Sequence, residues 1–156
     1  MREFHGAATT RVSASAREVF DLITDLDRLP EWNQAIERIL EHPEALTPGA
    51  EWVVVMHPSG TPRWKSRSHL EEIEPCARLV YRSHSEDTNP SYARWQWEIT
   101  PAHDGVQVTV SWDGHPKTIG RKLIAAPIRR RMLEREVAAS LDALRRTLER
   151  ADTDAT

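Results

Sequence analysis

The sequence predicts an α+β domain in which a curved antiparallel sheet of about seven strands wraps around one long C-terminal helix. Three observations lead to this fold class. Short segments rich in Val, Ile, Thr, Trp and Tyr follow one another through the middle of the chain, and turn residues separate them. No helical pattern lies between these segments, which argues against the alternating order of a parallel sheet. A sustained apolar stripe at helical spacing then occupies the C-terminal part of the chain.

The length and composition are those of one globular domain. A chain of 156 residues can bury a sizeable core, and we expect a single domain over 1–151 followed by a frayed tail at 152–156. No apolar run has the pattern of a signal peptide or the length of a transmembrane helix, so we expect a cytoplasmic protein without stable membrane insertion. The single cysteine, Cys76, excludes an intramolecular disulfide and a cysteine-based zinc site.

The first elements are a strand and two short helices. Phe4 to Val12 alternates weakly and contains β-branched residues, which predicts a strand. Ser15 and Glu18 have the spacing of a capping box, and the apolar residues that follow predict a helix of about three turns. Leu29-Pro30 ends that helix, and residues 31–33 begin a second, shorter one.

The middle of the chain predicts a meander of six more strands. Turn residues such as Pro48-Gly49, Asn89-Pro90 and Asp104-Gly105 lie between the β-rich segments. Loops this short join neighbouring strands in antiparallel hairpins. The six strands are predicted near 35–42, 50–57, 64–74, 78–85, 92–100 and 106–113.

The last element is a basic amphipathic helix, predicted from near Lys117 to about Arg150. Its apolar residues recur at three- and four-residue steps, and Pro127 predicts a kink or break within it. Residues 117–150 contain ten Lys and Arg against four Asp and Glu, although the whole chain has a net charge of −3. A basic helix on an acidic body is typical of a solvated outer face, and docking to an anionic partner is the alternative.

Strand parity predicts which side chains face the helix, because alternate residues of a strand point to opposite faces. Tryptophans, aliphatic residues and a few serines share one parity, which makes that face too apolar to remain in water. The long helix is its natural cover. Aromatic rings together with small serines on one concave face suggest a pocket as well as a core, and a fully packed interior is the alternative. The predicted inner face contains Met56, Trp64, Ser66, Ser68, Leu70, Leu79, Tyr81, Trp95, Trp97, Ile99, Val106, Val108, Val110 and Trp112.

Three local patterns occur together with this order of elements. The strand is followed by the helical sequence Ala16–Asp25 and by Leu29-Pro-Glu-Trp-Asn33. Leu70-Glu-Glu-Ile-Glu-Pro75 then leads to Arg78-Leu79, and Gly105–Thr109 precedes the long helix. From about residue 4 to 150 the chain resembles the START-related helix-grip superfamily, in its polyketide cyclase/dehydrase-like lipid-transport (SRPBCC) branch. The resemblance implies a β-α-α-β6-α order and a cavity between the sheet and the last helix.

Three functions are open for such a domain. The first is binding of a small hydrophobic molecule without catalysis, and pockets of this kind combine apolar walls with a few polar groups. The second, implied by the resemblance, is a polyketide cyclase/aromatase-type enzyme acting on a poly-keto intermediate. The third is a protein-interaction domain that docks through its basic C-terminal helix. The predicted ligand-binding residues are Met56, Trp64, Ser66, Ser68, Tyr81, Trp95, Trp97 and Trp112.

Catalytic and metal-binding residues are scarce in the sequence. The predicted inner strand face contains no carboxylate or histidine, which leaves the Tyr81 hydroxyl as the candidate proton donor. Asp113 and His115 are a further candidate pair at the cavity mouth, and Arg130 is a candidate for contact with a ligand oxygen. The seven histidines are scattered without metal-ligand spacing, so we expect no metal or other cofactor. The negative net charge and the few exposed aromatic residues predict no nucleic-acid partner, and the sequence does not specify the oligomeric state.

Overall fold

The computed structural model describes residues 4–87, 90–115 and 126–154, and the side chains of all of these except 126–130 and 152–154. The described strands form one seven-stranded sheet in the order β1-β7-β6-β5-β4-β3-β2, and every neighbouring pair is antiparallel. The predicted meander is confirmed, with the first strand added beside the last. The strands are β1 (Phe4–Val12), β2 (Ile36–Glu41), β3 (Glu51–Met56), β4 (Trp64–Glu74), β5 (Arg78–Ser85), β6 (Tyr92–Ala102) and β7 (Gly105–His115).

Two short helices link β1 to β2. Helix α1 (Ala16–Thr24) begins at the predicted capping box: the backbone N–H of Glu18 donates to Ser15 Oγ, and the backbone N–H of Ser15 donates to the Glu18 carboxylate. A 3-10 turn over Leu26–Arg28 leads into α2 (Leu29–Trp32), which has Pro30 in its first turn. The predicted pair of short helices is therefore confirmed.

The long C-terminal helix, α3, runs from Ala126 to Asp154. Pro127 lies in the first turn of this described helix, where a missing backbone N–H removes no helical hydrogen bond. The predicted kink thus corresponds to the start of the described helix. The predicted helical residues 117–125 lie outside the described part of the chain. At its other end α3 continues to Asp154, beyond the predicted domain end at residue 151.

The core lies between the concave face of the sheet and the three helices. The apolar stripe of α3 is buried there, with Leu141 and Leu144 no more than 2% exposed. Helix α3 packs against β1 and α2, while α1 packs against β6. Val108, Val110 and Trp112 of β7 provide the centre of the sheet side. The predicted sheet-on-helix arrangement is the one observed.

A β-bulge in β4 reverses the parity of that strand. Leu70 pairs with Tyr81, whereas Glu72 pairs with Val80, so one extra residue of β4 is inserted between them. Leu70 before the bulge and Ile73 after it both pack on the core, although strict alternation would separate them. The bulge lets β4 turn its apolar residues inward at both ends of a strand of 11 residues.

In the described part of the chain, no helix is both long and apolar enough to cross a membrane.

Candidate ligand-binding cavity

A cavity of about 100 Å³ lies between the concave face of the sheet and the helices. Strands β2 to β7 provide one side, and α1, α2 and α3 provide the other. Its position follows from the fold, because a curved sheet and a straight helix cannot stay in contact along their whole length. Five aromatic side chains line it: Trp32, Trp52, Tyr81, Trp95 and Trp97.

The aromatic residues of the wall are arranged edge to face. The Trp32 and Trp97 rings have centroids 5.5 Å apart and planes at 86°, which joins α2 to β6 across the cavity floor. The Trp52 and Tyr81 rings are 5.3 Å apart at 63°. This geometry places the positive ring edge against the negative ring face, an arrangement that holds both rings in place. The wall is therefore built from fixed aromatic pairs.

Six of the eight predicted ligand-binding residues line the cavity. They are Met56, Ser66, Ser68, Tyr81, Trp95 and Trp97. Trp64 and Trp112 have other positions. Trp64 is the first residue of β4, opposite Met56 at the end of the sheet, and it lies partly exposed outside the core cluster. Trp112 is 2% exposed and fills the space between Gly6 and Trp95, so it belongs to the packed interior.

The sequence did not predict several lining residues, among which four carry aromatic or polar groups that bear on function. Trp52 follows from parity, because it is two strand positions before Val54 and four before Met56, both on the inner face. Trp32 lies in α2, so strand parity could not predict that its side chain lines the cavity. Glu136 and Ser140 come from α3 on the same helical face as Leu133, at spacings of three and seven residues that the helical period predicts.

The polar groups of the cavity fall into two classes. In the first, each oxygen already accepts a hydrogen bond from the fold: Ser83 Oγ from Trp95 Nε1 at 3.0 Å, and Ser140 Oγ from the Gln34 backbone at 3.0 Å. In the second class are the hydroxyls of Ser66 and Ser68, which make no hydrogen bond to another described residue although these residues are only 7% and 4% exposed. The indole N–H of Trp32 is also buried without a partner among the described residues.

Tyr81 is a neutral phenol at physiological pH. Although part of its side chain remains accessible, burial raises the pKa of Tyr81 to about 12, and the Trp97 side chain opposes that shift. A phenol in this state donates a hydrogen bond but is not a base. Tyr81 is therefore suited to orienting or protonating a carbonyl oxygen.

Glu136 is the one residue with a carboxyl group among the described residues of the cavity wall. Its side chain is partly buried and has an interaction partner. The inner strand face has no carboxylate, as the sequence predicted, and the acid comes instead from α3. Glu136 and Tyr81 thus bring a carboxyl group and a phenol to the same cavity.

Asp113 and His115 do not form the candidate acid–base pair at the mouth of the described cavity. Both residues have the outward parity of β7. The Asp113 carboxylate contacts His5 Nδ1 across the β1–β7 pair, and the His115 ring stacks on Tyr92 with centroids 4.4 Å apart. Neither residue lines the cavity. The side chain of Arg130 lies outside the described residues.

Histidines and acidic residues make no metal centre in the described ranges. No group of three or more His, Cys, Asp or Glu side chains converges there. On the outer face of the sheet, the Nε2 atoms of His69 and His84 are 3.0 Å apart, and His69 Nδ1 lies 2.7 Å from the Glu51 carboxylate.

Several solved structures share this fold. The Zhui aromatase/cyclase from Streptomyces sp. R1128 is 23% identical, with a TM-score of 0.70 over 96% of this chain and 95% of that one. A START superfamily protein from Mycobacterium smegmatis is 14% identical, with a TM-score of 0.74 over 94% and 98%. The di-domain ARO/CYC protein StfQ of the steffimycin biosynthetic pathway is 15% identical, with a TM-score of 0.79 over 97% of this chain and 52% of its own.

At these identities the likeness is one of fold alone, and this chain spans about half the length of the di-domain protein. No curated protein matches the sequence. A family model does match, described as polyketide cyclase/dehydrase and lipid transport, and it covers residues 3–149. That match spans nearly the whole chain, from β1 to the last turns of α3. The chain therefore belongs to the polyketide cyclase/dehydrase and lipid transport family, and it has the helix-grip fold that the sequence predicted.

Proposed function

We propose that this protein binds a small, largely apolar molecule in the cavity between its sheet and α3. The observation that carries the proposal concerns Ser66 and Ser68, two buried residues that line a cavity with aromatic walls. Their hydroxyls make no hydrogen bond to a described residue and remain open to the cavity. Polar groups in protein interiors are nearly always hydrogen-bonded, so two hydroxyls that open onto a cavity without a protein partner support binding of a molecule there that accepts or donates a hydrogen bond. Apolar walls with a few orienting polar groups are the usual composition of small-molecule sites.

Tryptophan fluorescence and thermal melting test the proposal. A panel of small apolar compounds should include members that change the emission and raise the melting temperature, since Trp95 and Trp97 border the cavity. The emission change should shrink in Trp97→Phe and persist in the matched control Trp64→Phe, because Trp64 lies outside the lining. If no apolar compound alters either measurement, the binding function is contradicted.

A cyclase-type enzyme is the second candidate, and Glu136 is the observation that favours it. Aldol ring closure of a poly-keto chain requires a base to remove a proton next to one carbonyl and an acid to protonate another. Glu136 and Tyr81 have the chemistry for those two roles and line one cavity. Against this candidate, the cavity of about 100 Å³ is well below the usual range of about 300–1,000 Å³ for ligand sites, so an extended chain would require the site to open.

The enzyme is favoured if the wild type turns over a poly-keto substrate and both Glu136→Gln and Tyr81→Phe lose this turnover. Apolar ligands should still bind to both variants in that case. If the wild type binds apolar ligands but does not turn over the substrate, the binding function without catalysis is favoured.

A further inference from the structure

The size of the cavity limits the ligand. A volume of about 100 Å³ compares with an apolar cavity of about 150 Å³ that accommodates benzene in another protein. A fatty acyl chain or a fused ring system is several times larger than one benzene ring. The cavity is thus smaller than the one that accommodates benzene, so a single ring is the upper size limit for its ligand, and a ring with one substituent requires small shifts of the lining side chains.

The walls favour an aromatic ring over an alkyl group of the same size. Trp32 and Trp97 form one edge-to-face pair, and Trp52 and Tyr81 form another. Both pairs line the cavity, so they present ring edges and faces to whatever occupies it. The aromatic ring of a ligand could make further edge and face contacts with these pairs. Such contacts contribute interaction energy beyond that of the buried apolar area.

The two unpartnered hydroxyls add a requirement for oxygen. Ser66 and Ser68 lie two residues apart on the inner face of β4, a spacing of roughly 7 Å along a strand. They pair across the sheet with Ser85 and Ser83, and Ser83 already accepts the indole N–H of Trp95. A ligand oxygen that receives a hydrogen bond from Ser66 or Ser68 would satisfy a group that the fold leaves unsatisfied.

The charges of the wall disfavour an anion. No Arg, Lys or His occurs among the described residues that line the cavity, and Glu136 is their one acidic member. A carboxylate brought into the cavity would lose its hydration without gaining a cationic partner from those residues. The described part of the wall therefore offers a carboxylate no cationic partner.

Building on the proposed binding function, we propose that the ligand is a neutral molecule of one aromatic ring with a ketone, ester or similar oxygen acceptor, which Ser66 or Ser68 binds. This class excludes fatty acids and extended acyl chains from the cavity as it stands.

Four probes test the class by tryptophan fluorescence titration. Acetophenone is neutral and has an acceptor, isopropylbenzene has nearly the same shape without one, benzoate is an anion of one ring, and decanoate is a long anion. Acetophenone should bind about tenfold more tightly than isopropylbenzene and benzoate, the ratio that one hydrogen bond to a buried group supplies. Decanoate should bind most weakly.

Variants assign the preference to the two hydroxyls. In the double variant Ser66→Ala and Ser68→Ala, acetophenone and isopropylbenzene should bind within about threefold of each other. Ser85→Ala is the matched control, because Ser85 has the same parity on β5 but lies outside the lining, and it should keep the wild-type ratio. Melting curves check that both variants remain folded.

The outcomes separate the two proposals. Equal binding of acetophenone and isopropylbenzene to the wild type overturns the oxygen requirement and leaves apolar binding intact. Tighter binding of decanoate or benzoate overturns the neutral one-ring class. If none of the four probes nor the wider apolar panel binds, the binding function itself fails and this inference fails with it.

Discussion

Gly6 of β1 lies directly against the indole ring of Trp112 on β7, its partner in the strand pair. A Cβ built on Gly6 would stand 2.2 Å from Cζ2 and 2.3 Å from Cε2 of that ring, far inside van der Waals contact. Trp112 is 2% exposed and also contacts Trp95, so the ring has little room to move away. The glycine is therefore a requirement of packing in the sheet next to the cavity wall.

Gly6→Ala should lower the free energy of unfolding by about 1–3 kcal/mol, the usual cost of overpacking an interior. Urea unfolding measures the change. The same substitution in a Trp112→Phe background should cost less, because phenylalanine lacks the indole atoms Cζ2, Cε2 and Nε1 that the new Cβ would meet. An equal cost in both backgrounds would show that the ring is not the obstacle.

Ser83→Ala should destabilise the protein by about 1 kcal/mol, since the Trp95 indole N–H loses its acceptor at 3.0 Å. The emission of Trp95 should change as well, because its N–H environment changes. Ser85→Ala is the control on the same strand, and no indole donates to its hydroxyl. Identical effects of the two substitutions would argue against the Ser83–Trp95 bond.

Trp97→Ala should cost about 3–5 kcal/mol of unfolding free energy, toward the lower end because one side of the ring borders the cavity. Trp64→Ala should cost less than about 1 kcal/mol, since that side chain is partly exposed at a strand end. Chemical unfolding of the two variants side by side checks the ranking. A larger loss from Trp64→Ala would contradict the positions described for these rings.

Tyr81 should make stability fall at high pH. Its pKa is raised to about 12 in the folded protein, so the folded state retains a proton that the unfolded state releases from about pH 10 upward. The stabilisation is fully present below pH 10 and is lost as the pH rises through 12. Between pH 9 and 11 the wild type should lose about 1 kcal/mol more than Tyr81→Phe, measured by urea unfolding at each pH. Parallel losses in both proteins would contradict the raised pKa.

Most of the fold was predictable because its causes are local. The capping box at Ser15 and Glu18, the alternation in β7 and the helical stripe that includes Leu141 are all short-range patterns. The hairpin turn at Asp104-Gly105 is of the same kind, with Asp104 at a φ of +62°. Each pattern has a period or a spacing that one element imposes by itself.

The cavity wall was predictable only where strand parity applied without interruption. Ser66, Ser68, Trp95 and Trp97 followed directly from alternation. The bulge between Leu70 and Glu72 breaks that rule, and a register shift of this kind depends on the neighbouring strand.

The chain by itself determined the order of elements and the inner parity of the sheet, because periodicity, caps and turns act over a few residues. Only the tertiary structure decided which inner residues border open space. It left Trp112 packed against Gly6, and it brought Trp32 and Glu136 to the cavity from helices. The physical reason is that a void depends on how far a curved sheet and a straight helix separate, a distance set by all their side chains together.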